Sequence, residues 1–293
     1  MPEFPLISIA IPIYHGEVYL EHTLKNILEQ DYPNFEIIIT DNNPGGEPEQ
    51  VAKKYASAHA NIKYVQHPEN KGALKNWNSL VNYAIGDYFI YAGAHDLWSD
   101  HFLKELYNSI KNNPGAVLAY APSYWMEEAL SDSKISTGFF DTSGNSLVQR
   151  FNAVFWGPEE ALYGLMRMDV IKSSRLQAQI IGSGAAWLAE MALSGDFVVA
   201  NGVCRYRRKN RSNENRHERL KRYHNTLFKR KKQYWLPYWK YFFYYLSVPF
   251  TGKIGVGKRI SVFFSIFFGF LVRYLPDMLL DIGSIFRRLV KKY

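Results

Sequence analysis

The sequence predicts an α/β fold in which helices cover both faces of a mostly parallel sheet. Four short apolar runs alternate with helical segments through the first hundred residues, which is the pattern of a parallel sheet. The fourth run, Tyr88 to Ala92, is too rich in aromatic and β-branched residues for a helix and is followed by His95 and Asp96. An apolar run without alternation indicates a strand buried on both faces.

Each element follows from its local pattern. Pro12 closes the first β-branched run, and apolar residues at helical spacing follow it from Tyr19 to Leu28. The pattern predicts these elements in chain order: strand 6–13, helix 17–30, strand 35–40, helix 49–58, strand 62–66, helix 72–84 and strand 88–92. It continues with helix 102–112, strand 116–121, a polar loop over 123–146 that is expected to discriminate between substrates, and strand 196–201.

Polar side chains follow three of the predicted strands. Tyr14, Asp41 and Asp96 come directly after apolar runs, and the carboxyl ends of parallel strands meet at one edge where ligands bind. Asp41 suits a base or ribose as a hydrogen-bond acceptor, or it is a turn residue before Pro44. Asp96 suits a divalent cation that holds a diphosphate, or it caps the helix starting near Asp100.

Composition limits the class of protein. The apolar fraction of 47% excludes a disordered chain, and the net charge of +8 calls for an anionic partner such as a sugar nucleotide, nucleic acid or anionic lipid. A single cysteine, Cys204, rules out an internal disulfide and fits a reducing compartment. We expect no secretory signal, because Glu3 precedes the first apolar run and Pro12 interrupts it.

The C-terminal part combines positive charge with aromatic residues. Between residues 205 and 232 thirteen Lys or Arg stand against two Glu, and an aromatic stretch follows over 234–250. The apolar run Ile260 to Val272 is shorter than the roughly 20 residues of a membrane span, so we expect it to lie at an anionic membrane surface. A homo-oligomerisation tail is the alternative. A nucleic-acid patch is disfavoured, because such patches do not end in a long apolar run.

Three segments carry a resemblance to a known family: ISIAIPIYHGEVYLEHTLKNILEQDYPNFEIIITDNN, ENKGALKNWN and GDYFIYAGAHD. In this order and spacing they resemble the nucleotide-binding half of the inverting family 2 glycosyltransferases, which adopt the Rossmann-like GT-A fold. The resemblance implies a nucleotide-sugar donor. It also implies that Pro12 and Tyr14 lie at the first donor loop and that Asp41 binds the nucleoside. Lys75 and Asn78 would lie near the base or ribose.

The resemblance makes Asp96 the last acid of the family's metal-binding Asp-x-Asp, which reads Ala94-His95-Asp96 in this chain. The implied cofactor is Mn²⁺ or Mg²⁺. His95 would supply a nitrogen ligand or a hydrogen bond to phosphate, and imidazole suits Mn²⁺ better. The family's Arg-Arg-His-x-x-Ser loop corresponds to the stretch beginning at Arg207, so Arg208 and Lys209 are candidates for phosphate binding.

The catalytic base is missing from its expected place. The resemblance puts an Asp at the start of a helix, and its counterpart is Gly184, or Ala186 if Trp187 is the anchor. A carboxylate from elsewhere, an engineered replacement, or a protein that does not catalyse would explain this. The acidic candidates are Glu159, Glu160 and Glu190. The first two also fit a helix first turn favoured by the macrodipole, and the third, in mid-helix, fits a plain surface or salt-bridged role.

The sequence therefore predicts an inverting glycosyltransferase, peripheral on the cytoplasmic face of the membrane, with a lipid-linked glycan or a polysaccharide as acceptor. The alternative is an inactive relative that binds nucleotide sugar or glycan in a cell-surface glycan assembly. The expected organisation is a donor half over 1–100, an acceptor half of the same domain over 101–203, a basic phosphate-binding loop and helix over 204–233, and a membrane-associating helical tail over 234–293.

Overall fold

The computed structural model of the chain describes residues 3–14, 19–43, 45–46, 48–126, 134–135, 140–208 and 236–290. These residues form two sheets with helices packed around them. Lys209 and nearly all of the predicted basic loop and helix over 204–233 lie outside the described residues.

A seven-stranded central sheet forms the body of the molecule. Its strands are β1 (Ile7–Ile13), β2 (Phe35–Asp41), β3 (Ile62–Gln66), β4 (Tyr88–Tyr91), β6 (Ala116–Tyr120), β9 (Leu165–Arg167) and β10 (Asp196–Val199). Their order is β10-β6-β9-β4-β1-β2-β3. All pairs are parallel except those of β9, which runs antiparallel between β4 and β6. The predicted, mostly parallel sheet is therefore confirmed.

A smaller four-stranded sheet stands beside the carboxyl end of β4. It consists of β5 (Asp96–Trp98), β7 (Ser123–Met126), β8 (Lys134–Ile135) and β11 (Arg205–Arg208), in the order β5-β11-β7-β8. The sequence pattern predicts a loop over residues 123–146, which is wrong for the two short strands β7 and β8. Residues 123–126 pair with β11, which is far away in the chain, so the local sequence pattern does not predict this strand.

Helices cover both faces of the central sheet. They are α1 (Leu20–Leu28), α2 (Pro48–Ala58), α3 (Ala73–Tyr83), α4 (Phe102–Asn112), α5 (Leu147–Trp156), α6 (Met168–Ser173), α7 (Ser183–Met191), α8 (Pro237–Ser247) and α9 (Val256–Val290). Two short 3₁₀ helices span Glu159–Tyr163 and Val248–Phe250. The predicted first-half pattern holds because Leu20, Leu24 and Ile27 are buried together on one helical face.

The two C-terminal helices belong to the hydrophobic core. Tyr241 and Tyr245 of α8 and Phe270 of α9 are buried in the same cluster as Phe155 of α5. Helix α9 passes so close to α5 that a Cβ on Gly269 would lie 2.9 Å from the ring of Phe155. Glycine at this position therefore allows the two helices to touch.

Helix α9 is longer than the apolar run predicted. It is 35 residues long and continues through Pro276, beyond the end of the predicted apolar run at Val272. Its part Val256–Ser284 is long and apolar enough to cross a membrane by length and composition. One face nevertheless packs on the domain, since Val262, Ile266 and Met278 are buried.

Candidate functional site

The carboxyl ends of β1, β2 and β4 lie side by side at one edge of the central sheet. Strand β1 pairs in parallel with both of its neighbours, with Ile13 opposite Asp41. Tyr14 follows β1 and is 43% exposed, and Asp41 is the last residue of β2. Asp96 follows β4 after a short turn in which its N–H bonds to the Gly93 carbonyl. Tyr14, Asp41 and Asp96 therefore share one edge of the sheet.

Asn76 holds this edge together, although the sequence analysis did not single it out. Its side-chain amide donates to the carbonyl oxygens of Ile13 at 3.2 Å and Thr40 at 3.4 Å. Its oxygen lies 3.1 Å from the ring of His67. A signal was present in the sequence, because Asn76 precedes Leu80 by four residues and so lies on the buried face of α3.

Asp41 is fully buried and fixes the loop after β2. One carboxylate oxygen accepts the Asn43 N–H at 2.8 Å, which is the turn contact that the alternative interpretation expected. The other oxygen accepts the Tyr64 hydroxyl at 2.8 Å. Desolvation and the bond to Asp41 raise the pKa of Tyr64, so this phenol stays neutral and donates. Each Asp41 oxygen keeps a lone pair for a further donor.

Asp96 begins strand β5, so the alternative in which it caps helix α4 is wrong. The residue at the N-cap of α4 is His101. One Asp96 oxygen instead accepts from the guanidinium of Arg205 at 3.0 Å, and both side chains are buried. The same guanidinium donates to Glu160 at 2.5 Å. Arg205 also lies over the ring of Tyr163, with its Cζ 3.7 Å from the ring centroid.

Arg207 and Arg208 extend this charged cluster along β11. Arg207 lies opposite Asp96 in the strand pairing and donates to the second oxygen of Glu160. Arg208 stacks on the ring of Tyr19, with its Cζ 4.3 Å from the centroid, and among the described residues its buried Nε has no hydrogen-bond partner. The sequence analysis identified Arg208 but missed Arg205 and Arg207 as members of the cluster.

The two predicted residues on α3 differ in their surroundings. Lys75 is exposed at the beginning of the helix, where a cation is well placed for an anion. Asn78 donates to the backbone carbonyl of Gln177 at 2.9 Å, and this bond ties α3 to the segment before α7. Pro12 lies inside β1 opposite Thr40.

A divalent cation has two possible protein ligands here. The Nε2 atom of His95 lies 3.9 Å from the Asp96 oxygen that Arg205 does not use. The described residues contain no group of three or more His, Cys, Asp or Glu side chains that could hold a metal ion. Mg²⁺ at a phosphate site commonly takes only one or two protein ligands, with phosphate oxygens and water completing its shell. His95 and Asp96 therefore fit a cation that a diphosphate helps to hold.

Glu190 forms an ion pair with Arg175. Its carboxylate accepts from the Arg175 side chain at 2.7 Å and from the Arg175 backbone N–H at 2.9 Å, and Glu190 is buried. Arg175 in turn stacks on Tyr244, with its Cζ 4.3 Å from the ring centroid. This is the salt-bridged arrangement that the sequence analysis gave as its alternative.

Helix α7 carries no acidic residue at the expected base position. Gly184 and Ala186 are both buried, so burial does not choose between the two alignments. Gly184 lies in the first turn of α7, and a Cβ built on it would lie 3.1 Å from Oε2 of Glu159 and 3.2 Å from Leu162. Glu159 therefore reaches the space above Gly184 from a different element.

The fold is shared with solved structures of S. aureus TarS. The structure of S. aureus TarS 1-349 in complex with UDP-GlcNAc superimposes with a TM-score of 0.65 at 15% identity, covering 95% of this chain and 80% of that chain. A longer S. aureus TarS structure gives a TM-score of 0.64 at 14% identity, over 92% of this chain and 43% of that chain. The predicted GT-A fold is thereby confirmed.

The family follows from the sequence comparison. The family model described as glycosyl transferase family 2 matches residues 8–158, and the chain belongs to this family. A relative from Methanococcus voltae, named dolichyl N-acetyl-alpha-D-glucosaminyl phosphate 3-beta-D-2,3-diacetamido-2,3-dideoxy-beta-D-glucuronosyltransferase, is 37% identical over 36% of this chain and 35% of its own. The putative teichuronic acid biosynthesis glycosyltransferase TuaG of Bacillus subtilis is 29% identical over 34% of this chain and 40% of its own length. The chain thus matches well under half the length of these two curated relatives.

Proposed function

We propose that this protein transfers a sugar from a nucleotide-sugar donor to a lipid-linked glycan or polysaccharide acceptor, with inversion at the anomeric carbon. The observation that carries the proposal is the meeting of Asp41, Asp96 and the arginines of β11 at one edge of the sheet. Such an edge can hold a nucleoside at one end and a diphosphate at the other. The family and the fold shared with a UDP-GlcNAc complex support the same donor class.

The donor would lie along this edge with its nucleoside near β2 and β3. There the Asp41 carboxylate, fixed by Tyr64, has lone pairs for base or ribose donors. Tyr14 and Lys75 would line the same end. The diphosphate would lie near Arg208, a guanidinium whose Nε has no hydrogen-bond partner within the described part of the chain. Lys209 is its neighbour in sequence and is proposed for the same role.

The proposed cation would be held by His95 and Asp96 beside the diphosphate. When bound, Mn²⁺ or Mg²⁺ would neutralise charge that develops on the leaving nucleoside diphosphate. Arg207 lies opposite Asp96 and supplies positive charge at the same place. The Arg207 guanidinium would therefore neutralise part of this charge even without a bound cation.

The acceptor is proposed to come from the membrane because of the exposed face of α9. Large apolar side chains lie there at intervals of three and four residues, which puts them in one stripe: Val256, Ile260, Phe264, Phe268, Val272, Leu275 and Leu279. At about 1.5 Å per residue the stripe is roughly 35 Å long. Lys253, Lys258 and Arg273 are exposed around it and add the positive charge that anionic lipid headgroups attract.

The packing of α9 favours an orientation in the plane of the membrane. Its other face carries Val262, Ile266 and Phe270, which are buried against the domain. If α9 crossed the bilayer, helices α5 and α8 would have to enter the hydrocarbon with it. We therefore propose a peripheral protein whose stripe enters the headgroup and acyl boundary. A reducing compartment, consistent with the free Cys204, and a cytosolic nucleotide sugar favour the cytoplasmic face.

The test is a donor panel on the full chain. Thermal shift is measured with UDP-, GDP- and dTDP-sugars, each with Mn²⁺ and with EDTA, and release of the nucleoside diphosphate is followed in parallel. One nucleotide class is expected to raise the Tm, and Asp96→Ala is expected to remove that gain. Stabilisation that persists in EDTA would assign the diphosphate to the arginines and not to a metal. No stabilisation by any donor would refute the proposal.

A second candidate function is supported by Gly184. A chain without an acid at this position could bind a nucleotide sugar or glycan in an assembly and not turn it over. Donor stabilisation with no release of nucleoside diphosphate, under conditions with lipid and glycan acceptors present, would favour this candidate.

A further inference from the structure

Glu159 lies at the place that an acid on Gly184 would reach. Gly184 has no side chain, and the Glu159 Oε2 atom is 3.1 Å from the position of the absent Cβ. Any side chain at this position would have to displace Glu159 or Leu162 by a few tenths of an ångström. The glycine and the glutamate therefore fit each other: the space that one leaves is used by the other.

The surroundings of Glu159 are those of a reactive group. Glu159 is exposed as a residue, unlike Glu190, while its Oε2 atom packs at the first turn of α7. No ion pair or hydrogen bond to its side chain is formed within the part of the chain that the structure describes. Its neighbour Glu160 points the other way and bonds to Arg205, which also holds Asp96. One short helix thus carries one carboxylate to the donor side and one to the first turn of α7.

The surroundings of Glu159 shift the pKa of its carboxyl upward. Desolvation and the nearby Glu160 raise the pKa of Glu159, while Arg273 opposes the rise. The other titratable groups around it are the phenols of Tyr241, Tyr245 and Tyr274, whose pKa values burial raises, so they stay neutral. A general base works best when its pKa is near the working pH.

We infer that Glu159 is the catalytic base of the transfer, acting from the helix before β9 because Gly184 leaves room for its carboxylate. The inference rests on the proposed function. In the step, Glu159 takes the proton of the acceptor hydroxyl while the acceptor oxygen forms a bond to the anomeric carbon. The bond from that carbon to the phosphate oxygen breaks, and its electron pair leaves with the nucleoside diphosphate.

Two variants of the full chain test the assignment. Glu159→Gln keeps the shape of the side chain and removes its basicity, so release of the nucleoside diphosphate is expected to fall roughly 100-fold or more. Its affinity for the nucleoside diphosphate alone should equal that of the wild type. The matched control is Glu29→Gln, a change at an exposed glutamate on the far end of α1 that should leave both quantities unchanged.

A pair of substitutions tests the spatial exchange with Gly184. Glu159→Ala removes the carboxylate and opens the space, and adding Gly184→Asp supplies a carboxylate from the helix. The double variant is expected to recover about tenfold in turnover over Glu159→Ala. Gly184→Asp alone crowds Glu159 and should give no gain. A structural role for Glu159 would not predict this recovery, because the double variant restores only the acid.

The pH dependence gives an independent readout. Turnover should rise with pH as the carboxyl of Glu159 ionises. Arg273→Gln removes the positive charge that opposes the raised pKa, so the acid limb of kcat/KM should move to higher pH. A limb that stays in place or moves to lower pH would contradict the assignment.

The outcomes separate this inference from the proposed function. Turnover of Glu159→Gln within threefold of wild type would overturn the base assignment and leave glycosyl transfer intact. A wild type that binds the donor without releasing nucleoside diphosphate would also overturn it, since a base already in place would act. A wild type that binds no nucleotide sugar would instead refute the proposed function itself.

Discussion

At the scale of single residues, Asp41 depends on a phenol that comes from a neighbouring strand. The sequence places Asp41 at the end of β2, but its partner Tyr64 belongs to β3, and the two meet only because these strands pair. The carboxylate is buried, so the loss of any hydrogen bond to it costs free energy. This arrangement makes Tyr64 a testable part of the nucleoside end of the site.

Tyr64→Phe removes the hydroxyl that holds Asp41. We expect UDP to bind more weakly by about 1 kcal/mol, or roughly fivefold, because the carboxylate loses one fixed partner. Binding of pyrophosphate alone should not change, since it does not reach the nucleoside end. Isothermal titration of both ligands measures this. Tyr83→Phe is the control, because no hydrogen bond of the Tyr83 hydroxyl is recorded among the described residues.

Glu190 and Glu159 are both acidic candidates from the sequence, but their surroundings give opposite expectations. Glu190→Gln weakens the bonds from Arg175, so the free energy of unfolding should fall by about 1–2 kcal/mol. Turnover per folded molecule should stay at the wild-type level. Chemical denaturation with a parallel activity assay measures both. Lost turnover at unchanged stability would return Glu190 to the list of possible bases.

At the scale of elements, helix α9 has two faces with different tasks. The face with Phe270 packs on the domain, and the face with Phe264 and Phe268 is exposed. The apolar run alone could not tell the two faces apart, because both are made of the same residue types. The distinction comes from the contacts of α9 with α5 and α8.

The exposed face is predicted to bind membranes. Phe264→Ser and Phe268→Ser should each weaken binding to mixed phosphatidylcholine and phosphatidylglycerol vesicles, measured by sedimentation, by roughly tenfold. Each substitution removes the free energy gained when a phenyl ring is transferred from water into the membrane. Ile85→Ser, at an exposed apolar residue outside the tail, is the matched control. Pure phosphatidylcholine should bind more weakly than the mixture.

Two other results would contradict the membrane prediction. Vesicle binding that does not depend on these phenylalanines would move the contact to another surface. A change from dimer to monomer in Phe264→Ser, without any vesicle binding by the wild type, would assign the stripe to a second copy of the chain.

At the scale of the whole molecule, the C-terminal helices complete the core. Several of their side chains are buried with α5 and α7: Tyr241, Phe242, Tyr245, Val262, Ile266, Phe270 and Met278. Each such side chain contributes about 1.5–3 kcal/mol, and the sum is comparable to the roughly 5–15 kcal/mol of net stability of a typical protein. The helices are therefore expected to be needed for folding.

A chain truncated before Pro237 tests this expectation. It should show no cooperative thermal unfolding in calorimetry, because the hydrophobic cluster beneath α8 and α9 becomes exposed. The full chain under the same conditions is the control. A truncated chain with the Tm of the full chain would mean that the two helices are an appendage of the domain and not part of its core.

Much of the fold could be predicted because its strands and helices follow from local patterns of apolar residues. The runs ending at Ile13, Asp41 and Tyr91 are apolar on both faces, which suffices to predict buried parallel strands and their common edge. The family resemblance of the same segments agrees with the match of the family model to residues 8–158. Strand pairs such as β7 with β11 could not be predicted, since they join residues far apart in the chain.

By itself, the sequence determined the alternating strands and helices, the polar residues at the strand ends, and the absence of an acid at Gly184. Only the tertiary structure decided the pairing of Asp96 with Arg205 and the position of Glu159 over Gly184. The physical reason is distance along the chain. Periodicity records which face of an element is buried, whereas contacts between separate elements exist only once the whole chain has packed.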